Sequence, residues 1–356
     1  MKLFRQHMVR IQGFSLVELM VALTIGLIIL SSVSMLFVSS KKTYTTQDRL
    51  ARLQENARFA MQFIIKDLRL TGYYGCVDEI NADSVSNTLN SSTSFAYNAQ
   101  IPLEGLNSAA GTWYPSGSAT LPSGIASGTD AIAIRMGDAS SSVYIDTEMP
   151  NSSAELKVNS VTGFNTGDII MVSDCTSTDI MQITQVQTSS VKLQHNPGGG
   201  SSPGNSTQKL SKAYSPSGNG TRVMKFMTRQ YFIATGASGN PALWRQDNTA
   251  TPVELVDGIE SLQILYGKNT DGIVPKVPNV YLQAGAAGLQ SAADWSSVVS
   301  VRIGILARTV NDKDTDIDSG TYDVDGDGNT DFTPLSNPPD RNKRRIFQAA
   351  VQLRNL

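Results

Sequence analysis

The strongest constraint on this chain is an apolar segment near its N-terminus. Between Phe14 and Val38 the sequence contains apolar residues, small Ser, Thr and Gly residues, and one acid, Glu18. About 25 residues at 1.5 Å each form a helix of roughly 37 Å, enough to cross a bilayer core of about 30 Å. Residues 1–13 are basic and contain no acid. We therefore expect them in the cytoplasm and the rest of the chain outside.

The span is predicted to be retained as an anchor rather than removed as a signal peptide. An ordinary secretory signal has a shorter apolar run, followed by a small-residue cleavage site. No such site follows Val38, and the helical pattern continues through Lys41 and Lys42. We therefore interpret residues 14–38 as a transmembrane helix.

Glu18 is the unusual residue of this span. A carboxylate in a membrane helix costs up to about 2.5–3.5 kcal/mol at the bilayer centre, and less near its edge. One interpretation is a tolerated charge that reaches the membrane surface. The other is an ion pair with a cation of another subunit inside the membrane.

The residues around Glu18 carry a family resemblance. The segment Gly13–Met20, GFSLVELM, follows a short basic leader and resembles the class III signal of type IV prepilins. The resemblance implies that a prepilin peptidase cuts between Gly13 and Phe14 and methylates the new amino group of Phe14. It also implies that Glu18 docks the subunit by pairing with the terminal amine of a neighbour.

The helical pattern continues beyond the span as an amphipathic half over residues 39–72. No proline interrupts residues 14–70, so one continuous helix is predicted, with Gly72 as its C-terminal cap. Apolar positions spaced by three and four predict a stripe that covers a sheet. They include Leu50, Leu53, Ala57, Ala60, Ile64 and Leu68.

Residues 73–356 are predicted to form a β-rich globular domain outside the cytoplasm. The fold class is then α+β, a long helix packed on a mainly antiparallel sheet, with β-rich insertions. Alternation and β-branching predict strands over 130–135, 156–161, 168–173, 180–187, 222–234, 241–245, 255–266, 295–309 and 344–354. Residues 80–128 are predicted to be loops and short strands, and residues 196–220 a flexible loop or linker.

The chain has two cysteines, Cys76 and Cys175, and neither lies in a C-x-x-C motif. Two unrelated buried thiols are one possibility. Export to an oxidising compartment favours a disulfide instead. Such a bond would close a loop of about 100 residues, worth on the order of 4–5 kcal/mol if chain entropy alone counts.

Three motifs beyond the helix resemble the PilW group of type IV minor pilins. They are Tyr73-x-Gly75-Cys76, Gly167-Asp168 before Ser173-Asp174-Cys175, and Arg345-x-Phe347 before Val351-x-Leu353-Arg354-Asn355. The loops at 80–128 and 196–220 lie outside the resemblance. It makes the two cysteines candidates for the disulfide.

This resemblance implies a role in assembling or priming type IV pili, and in twitching motility, DNA uptake or adhesion. It implies as partners other minor and major pilins, the prepilin peptidase and the inner-membrane assembly platform. The protein would lie in the bacterial inner membrane and then in the assembled pilus at the cell surface. A type II secretion pseudopilin and a membrane-tethered calcium-binding adhesin are the alternatives.

A run of acids near the C-terminus predicts a calcium site. The oxygen-bearing residues alternate along the chain with a glycine at the sixth position, as in a D-x-D-x-D-G calcium loop. They are Asp323, Asp325, Asp327, Asn329 and Asp331. The twelfth position is Pro334, so Asp316, Asp318 or Asp340 would have to replace the usual glutamate. A solvated acidic loop is the alternative, and no cofactor other than calcium is expected.

The sequence does not predict an enzyme. Its two histidines are His7, in the basic leader, and His195, predicted to be a solvated loop residue. No phosphate-binding or dinucleotide-binding glycine motif is present. The net charge of -2 gives no electrostatic case for nucleic-acid binding.

Overall fold

The computed structural model describes residue 13 and residues 15–77, 80–107, 111–198, 202–216, 220–272, 276–310, 317–335 and 340–355. The chain divides into two compact units, Met1–Arg52 and Leu53–Leu356. A long N-terminal helix and mainly antiparallel sheets confirm the predicted α+β class.

The helices are α1 (Leu16–Leu68) and α2 (Ala292–Trp295). The strands that precede the longest one are β1 (Val85–Asn87), β2 (Leu103–Leu106), β3 (Trp113–Tyr114), β4 (Ala131–Gly137), β5 (Val143–Thr147), β6 (Leu156–Val158), β7 (Ile169–Ser173), β8 (Thr178–Gln182), β9 (Gln185–Gln187) and β10 (Lys192–Gln194). The others are β11 (Arg222–Thr235), β12 (Pro241–Asp247), β13 (Val253–Asp257), β14 (Ile259–Lys268), β15 (Val280–Leu282), β16 (Val298–Arg308) and β17 (Arg344–Gln352).

The first unit contains the N-terminal part of α1, through Arg52. Hydroxyl side chains in this part bond to the helix itself. Thr24 Oγ1 donates to Val21 O at 2.9 Å, and Ser31 Oγ donates to Ile28 O at 2.9 Å. These bonds satisfy the hydroxyl groups within the helix, so an apolar surrounding leaves neither one unpaired.

The C-terminal part of α1 supplies core residues to the second unit. Its buried stripe consists of Leu53, Ala57, Ala60, Ile64 and Leu68, each at most 2% exposed. They join one apolar cluster with inward-facing residues of β4, β11, β14 and β16. Each fully buried Leu or Ile in such a cluster contributes about 1.5–3 kcal/mol, so this part of the helix is held by its own chain.

A four-stranded antiparallel sheet has the order β15–β14–β16–β17. Val301, Ile303 and Ile305 of β16 belong to the core that includes α1. Gly304 lies between two of them and therefore faces the opposite side of the sheet, because side chains alternate along a strand. Gln348 of β17 is its cross-strand partner.

A second, larger sheet is organised around β11. The C-terminal part of β11 pairs antiparallel with β4 and β12, and its N-terminal part pairs with β5 and β7. The short β1 pairs in parallel with β8. The strands after β11 in sequence thus belong to two sheets, and most strands before it extend the larger one.

The region from residue 143 to residue 223, which we call the insertion, has its own apolar cluster. Leu210 and Tyr214 belong to it and are 1% and 0% exposed. Residues 202–216 contain no helix or strand, which agrees with the predicted loop. The alternative of a free linker is wrong for them, because Leu210 and Tyr214 anchor the loop in this cluster. His195 is 1% exposed, and its Nε2 lies 3.1 Å from Gln208 O. The expectation of a solvated histidine is also wrong.

Two predicted strands are each divided in the structure. Residues 180–187 contain the end of β8 and all of β9, and residues 255–266 contain parts of β13 and β14. Gly258 separates the latter pair with a φ of 77°. A Cβ at Gly258 would lie 2.9 Å from Arg308 O, so a larger residue fits poorly. Such a break leaves little trace in the hydrophobic pattern.

The segment after α1 is tied to the insertion. Cys76 and Cys175 form a disulfide with their Cα atoms 4.3 Å apart, which confirms the predicted bond. Gly72 has a φ of 70°, but its N–H donates to Arg135 O at 2.9 Å. Gly72 therefore bonds to β4 instead of capping a helix carbonyl.

Candidate functional site

The N-terminal part of α1 presents apolar side chains on every side. From Leu16 to Val38 the large apolar residues are between 50% and 75% exposed. Among the described residues, α1 is the helix long and apolar enough to cross a membrane. A helix that is hydrophobic all round needs lipid or other helices around it. This surface is the first of two separate candidate sites, and we call it the anchor helix, residues 16–38.

Glu18 has a local partner that the sequence reasoning missed. Its Oε2 accepts the Ser15 N–H at 2.9 Å, and the Glu18 N–H donates to Ser15 Oγ at 3.2 Å. This reciprocal pair is a capping box, and Ser-x-x-Glu is its sequence signal. The carboxylate also lies at the positive end of the helix dipole. A hydrogen bond and a dipole stabilise Glu18 without supplying a full positive charge.

The predicted processing site lies directly before this capping box. Gly13 is exposed, and no atom lies within 4 Å of a Cβ built on it. Phe14, the predicted site of N-methylation, and the leader residues 1–12 lie outside the described residues. No described residue packs against Gly13.

The second candidate site is the acidic loop, residues 323–331, between β16 and β17. An antiparallel bridge between Tyr322 and Phe332 closes its base. The Tyr322 N–H donates to Phe332 O at 2.9 Å, and the two rings lie 6.3 Å apart. The loop is therefore a closed turn rather than a free segment.

The acidic loop lies on the outer face of the four-stranded sheet. A Cβ at Gly304 would come within 1.9 Å of Val324 O, so only glycine lets the loop backbone approach β16 this closely. Gln348 Nε2 donates to Val324 O at 2.9 Å from the adjacent strand. Val324 and Asp325 are both 0% exposed as a result.

Three of the predicted calcium ligands converge in this loop. One carboxylate oxygen each from Asp323, Asp325 and Asp327 lie within 4.8 Å of one another. Asp325 Oδ1 accepts the Asp327 N–H at 3.0 Å, whereas its buried Oδ2 has no hydrogen-bond partner. Burial, then the charge of Asp331, raise the pKa of Asp325 to about 6, although the hydrogen bond from the Asp327 N–H partly opposes the rise.

The other two predicted ligands make hydrogen bonds within the loop. Asp331 Oδ2 accepts the N–H groups of Val324 and Asp325 at 2.6 and 3.2 Å, and Asn329 Nδ2 donates to Asp327 Oδ2 at 2.9 Å. They shape the loop through these bonds.

Two of the three acids that could replace the twelfth ligand are bound to another side chain. Asp318 and Asp340 both bind the buried guanidinium of Arg344, so they are not free to replace the missing glutamate. Burial would raise the pKa of each, but hydrogen bonds, including those from Arg344, lower both below the ordinary value. Asp316 lies outside the described residues.

The described histidine gives no sign of catalysis. Burial lowers the pKa of His195, and its Nε2 is already bonded to a backbone carbonyl. The side chain therefore packs inside the insertion as a neutral imidazole. The other histidine, His7, lies outside the described residues.

Two family models match the chain at its two ends. Residues 8–34 match the prokaryotic N-terminal methylation motif, and residues 230–355 match type IV pilus-assembly protein W. Comparison with curated proteins and with solved structures gave no significant match. The second match begins within β11 and includes the four-stranded sheet and the acidic loop.

With the anchor helix and the capped Glu18, the first match makes this end of the chain similar to prepilins, and it suggests membrane anchoring with pilus association. The second match makes the similarity more specific. Together the two matches support a likeness to the PilW-like minor pilins of type IV pilus assembly. Pilin-like families of this kind are structural rather than catalytic.

Proposed function

We propose that this protein joins or primes type IV pili by polymerising with other pilins through its anchor helix. A prepilin peptidase cuts between Gly13 and Phe14 and methylates the new terminus. The anchor helix then passes from the inner membrane into a bundle of pilin helices. The globular unit remains outside the cytoplasm and selects which subunits lie beside it.

One observation carries this proposal: the anchor helix is apolar on every side and lies within the matched methylation motif. Lipid covers such a helix before assembly, and helices of other pilins cover it afterwards. A helix made only to support a soluble core would bury one stripe, as α1 does beyond Leu53.

Glu18 supplies specificity to this packing. In the described chain no Lys or Arg forms an ion pair with it, and its recorded partner is the Ser15 N–H. Cleavage creates a terminal ammonium group on every subunit. Pairing that group with Glu18 of a neighbour neutralises both charges in a low-dielectric bundle, where an unpaired charge is costly.

The chemistry of the mature terminus tests the first step. Mass spectrometry of protein isolated from membranes should find a chain that begins with N-methylated Phe14. A Gly13→Ala variant should retain the leader, and a Gly26→Ala variant should be processed normally, because Gly26 has open space around it. Native protein that still begins at Met1 would contradict the proposal.

A deletion strain tests the assignment to the pilus. Surface pili and twitching should decrease, while type II secretion of exported enzymes should continue. Loss of secretion with normal piliation would favour a pseudopilin instead. DNA uptake and adhesion, measured in the same strain, report which later roles depend on the pili.

A further inference from the structure

The acidic loop has a feature that pilus assembly does not use. Asp325 is 0% exposed, and its Oδ2 is buried with no hydrogen-bond partner. An ionised carboxylate is costly to bury unless a cation or hydrogen-bond donors compensate for the lost water. The oxygen therefore marks a position at which the described chain lacks a partner.

The neighbouring carboxylates add negative charge close to Asp325, which raises the cost of keeping it ionised. Oxygens of Asp323, Asp325 and Asp327 lie within 4.8 Å of one another, and no Lys or Arg of the described residues forms an ion pair with them. Oxygens bound to one Ca²⁺ at 2.3–2.6 Å can stand up to about 5 Å apart. Their spacing suits a single shared cation.

The loop also holds these oxygens in place. Asp323 Oδ1 accepts the Gly326 N–H at 2.7 Å, and its Oδ2 accepts the Gly328 N–H at 2.9 Å. Val324 O is fixed on the sheet by Gln348. A cation would therefore meet an arrangement that is already ordered, which reduces the entropy lost on binding.

We propose that the acidic loop binds one calcium ion through Asp323, Asp325 and Asp327, with the unpartnered oxygen of Asp325 as a ligand. Hard oxygen donors with water completing the shell suit calcium, whereas magnesium needs near-ideal octahedral geometry and dehydrates reluctantly. The site goes beyond pilus assembly, since neither the anchor helix nor Glu18 contributes to it. Binding would hold the β16–β17 connection against the sheet.

The affinity should be modest. The position of the bidentate glutamate is Pro334, and Asp318 and Asp340 are bound to Arg344. Water must complete the coordination. We expect a dissociation constant of roughly 10⁻⁴–10⁻³ M, the range of extracellular calcium modules.

Calcium titration of the full-length protein in detergent micelles tests the proposal. Isothermal titration should show saturable binding of Ca²⁺, and much weaker binding of Mg²⁺ at the same concentration. The Asp325→Asn variant should bind calcium at least about tenfold more weakly. The matched control, Asp146→Asn on the exposed side of β5, should bind as the wild type does.

The Asp327→Asn variant serves as a second test in case Asp325→Asn does not fold. Asp327 is exposed, so its substitution should weaken binding without disturbing the core. Near-ultraviolet circular dichroism establishes that each variant is folded. No saturable binding at millimolar calcium, or equal binding by the wild type and a folded Asp327→Asn variant, would overturn the proposal. Retained piliation in that case would leave the assembly function intact.

Discussion

The two parts of α1 differ in whether an acidic side chain finds a cation within the chain. In the globular unit, Asp67 accepts hydrogen bonds from Arg229 Nη1 at 2.9 Å and from the Tyr231 hydroxyl group. In the first unit, Glu18 accepts the Ser15 N–H at 2.9 Å and has no cation among the described residues. The same helix thus places one acid in a complete intramolecular network and leaves the other for an external charge.

This contrast separates folding from assembly along one continuous helix. The side chains around Asp67 already have their partners within the chain, so their contribution appears in the free energy of unfolding. The side chains around Glu18 have no packed neighbours in the described chain. Their contribution should appear only when lipid or other subunits are present.

The largest expected effect comes from Asp67→Ala. Removing one member of a buried ion pair costs about 3–5 kcal/mol, and the lower end applies because Arg229 also binds Asp247. Urea unfolding of full-length protein in detergent, followed by tryptophan fluorescence, measures this loss. Glu18→Ala is the matched control and should leave the midpoint unchanged. Equal losses in both variants would remove the distinction between the two acids.

The apolar residues of the two halves give the next contrast. Ile64→Ala should reduce the free energy of unfolding by about 2–5 kcal/mol, because it leaves a cavity in the core. Ile28→Ala should change it by less than about 0.5 kcal/mol, as exposed substitutions usually do. Ile64 is 0% and Ile28 65% exposed. The same denaturation assay applies, and a large loss from Ile28→Ala would show that the anchor helix supports the fold.

Tyr231→Phe isolates the hydroxyl bond to Asp67. At neutral pH the loss should be about 1.5–3 kcal/mol, as for a hydrogen bond to a charged group. Burial first, and then the Asp67 charge, raise the pKa of Tyr231 above its ordinary value of 10.0. As the pH rises, the unfolded chain therefore loses the Tyr231 hydroxyl proton at a lower pH than the folded chain does.

The stabilising contribution should be complete below about pH 10 and decline as the pH rises further. The difference in unfolding free energy between the wild type and Tyr231→Phe should therefore be constant below about pH 10 and narrow above it. Tyr144→Phe, at an exposed position, is the control. A difference that stays constant with pH would contradict the proposed bond.

The smallest effect is expected from Ser15→Ala. Loss of a helix N-cap costs about 1 kcal/mol of helix stability, but the membrane already holds this helix. Membrane insertion, measured by carbonate extraction, should therefore be unchanged. Release of the variant into the soluble fraction would mean that the cap, rather than the apolar surface, maintains the anchor.

Local patterns predicted much of this molecule because their signals lie within a few residues. The apolar span, the processing motif and most long strands are examples. The Asp67–Arg229 pair joins residues far apart in sequence, and no local pattern indicates it. The anchoring of the loop 202–216 likewise depends on Leu210 and Tyr214, which belong to a cluster of residues distant in sequence.

The acidic loop could be predicted from the sequence only in part. Alternating acids predicted that Asp323, Asp325 and Asp327 would converge, and they do. The close approach of Val324 to Gly304, which buries Asp325, could not be predicted, because it depends on how two separate strands place the loop. The Ser15–Glu18 cap could have been predicted, because the Ser-x-x-Glu spacing of a capping box is present in the sequence.

The most direct test of the assembly mechanism separates the charge of Glu18 from its role as a cap. Glu18→Gln keeps an oxygen that can accept the Ser15 N–H but removes the charge, whereas Ser15→Ala keeps the charge and loses the hydroxyl partner. Both variants should be expressed in the deletion strain at equal membrane levels, and surface pili counted by electron microscopy. We predict few pili with Glu18→Gln and near-normal numbers with Ser15→Ala. Full piliation with Glu18→Gln would contradict the proposed pairing of Glu18 with a neighbouring terminal amine.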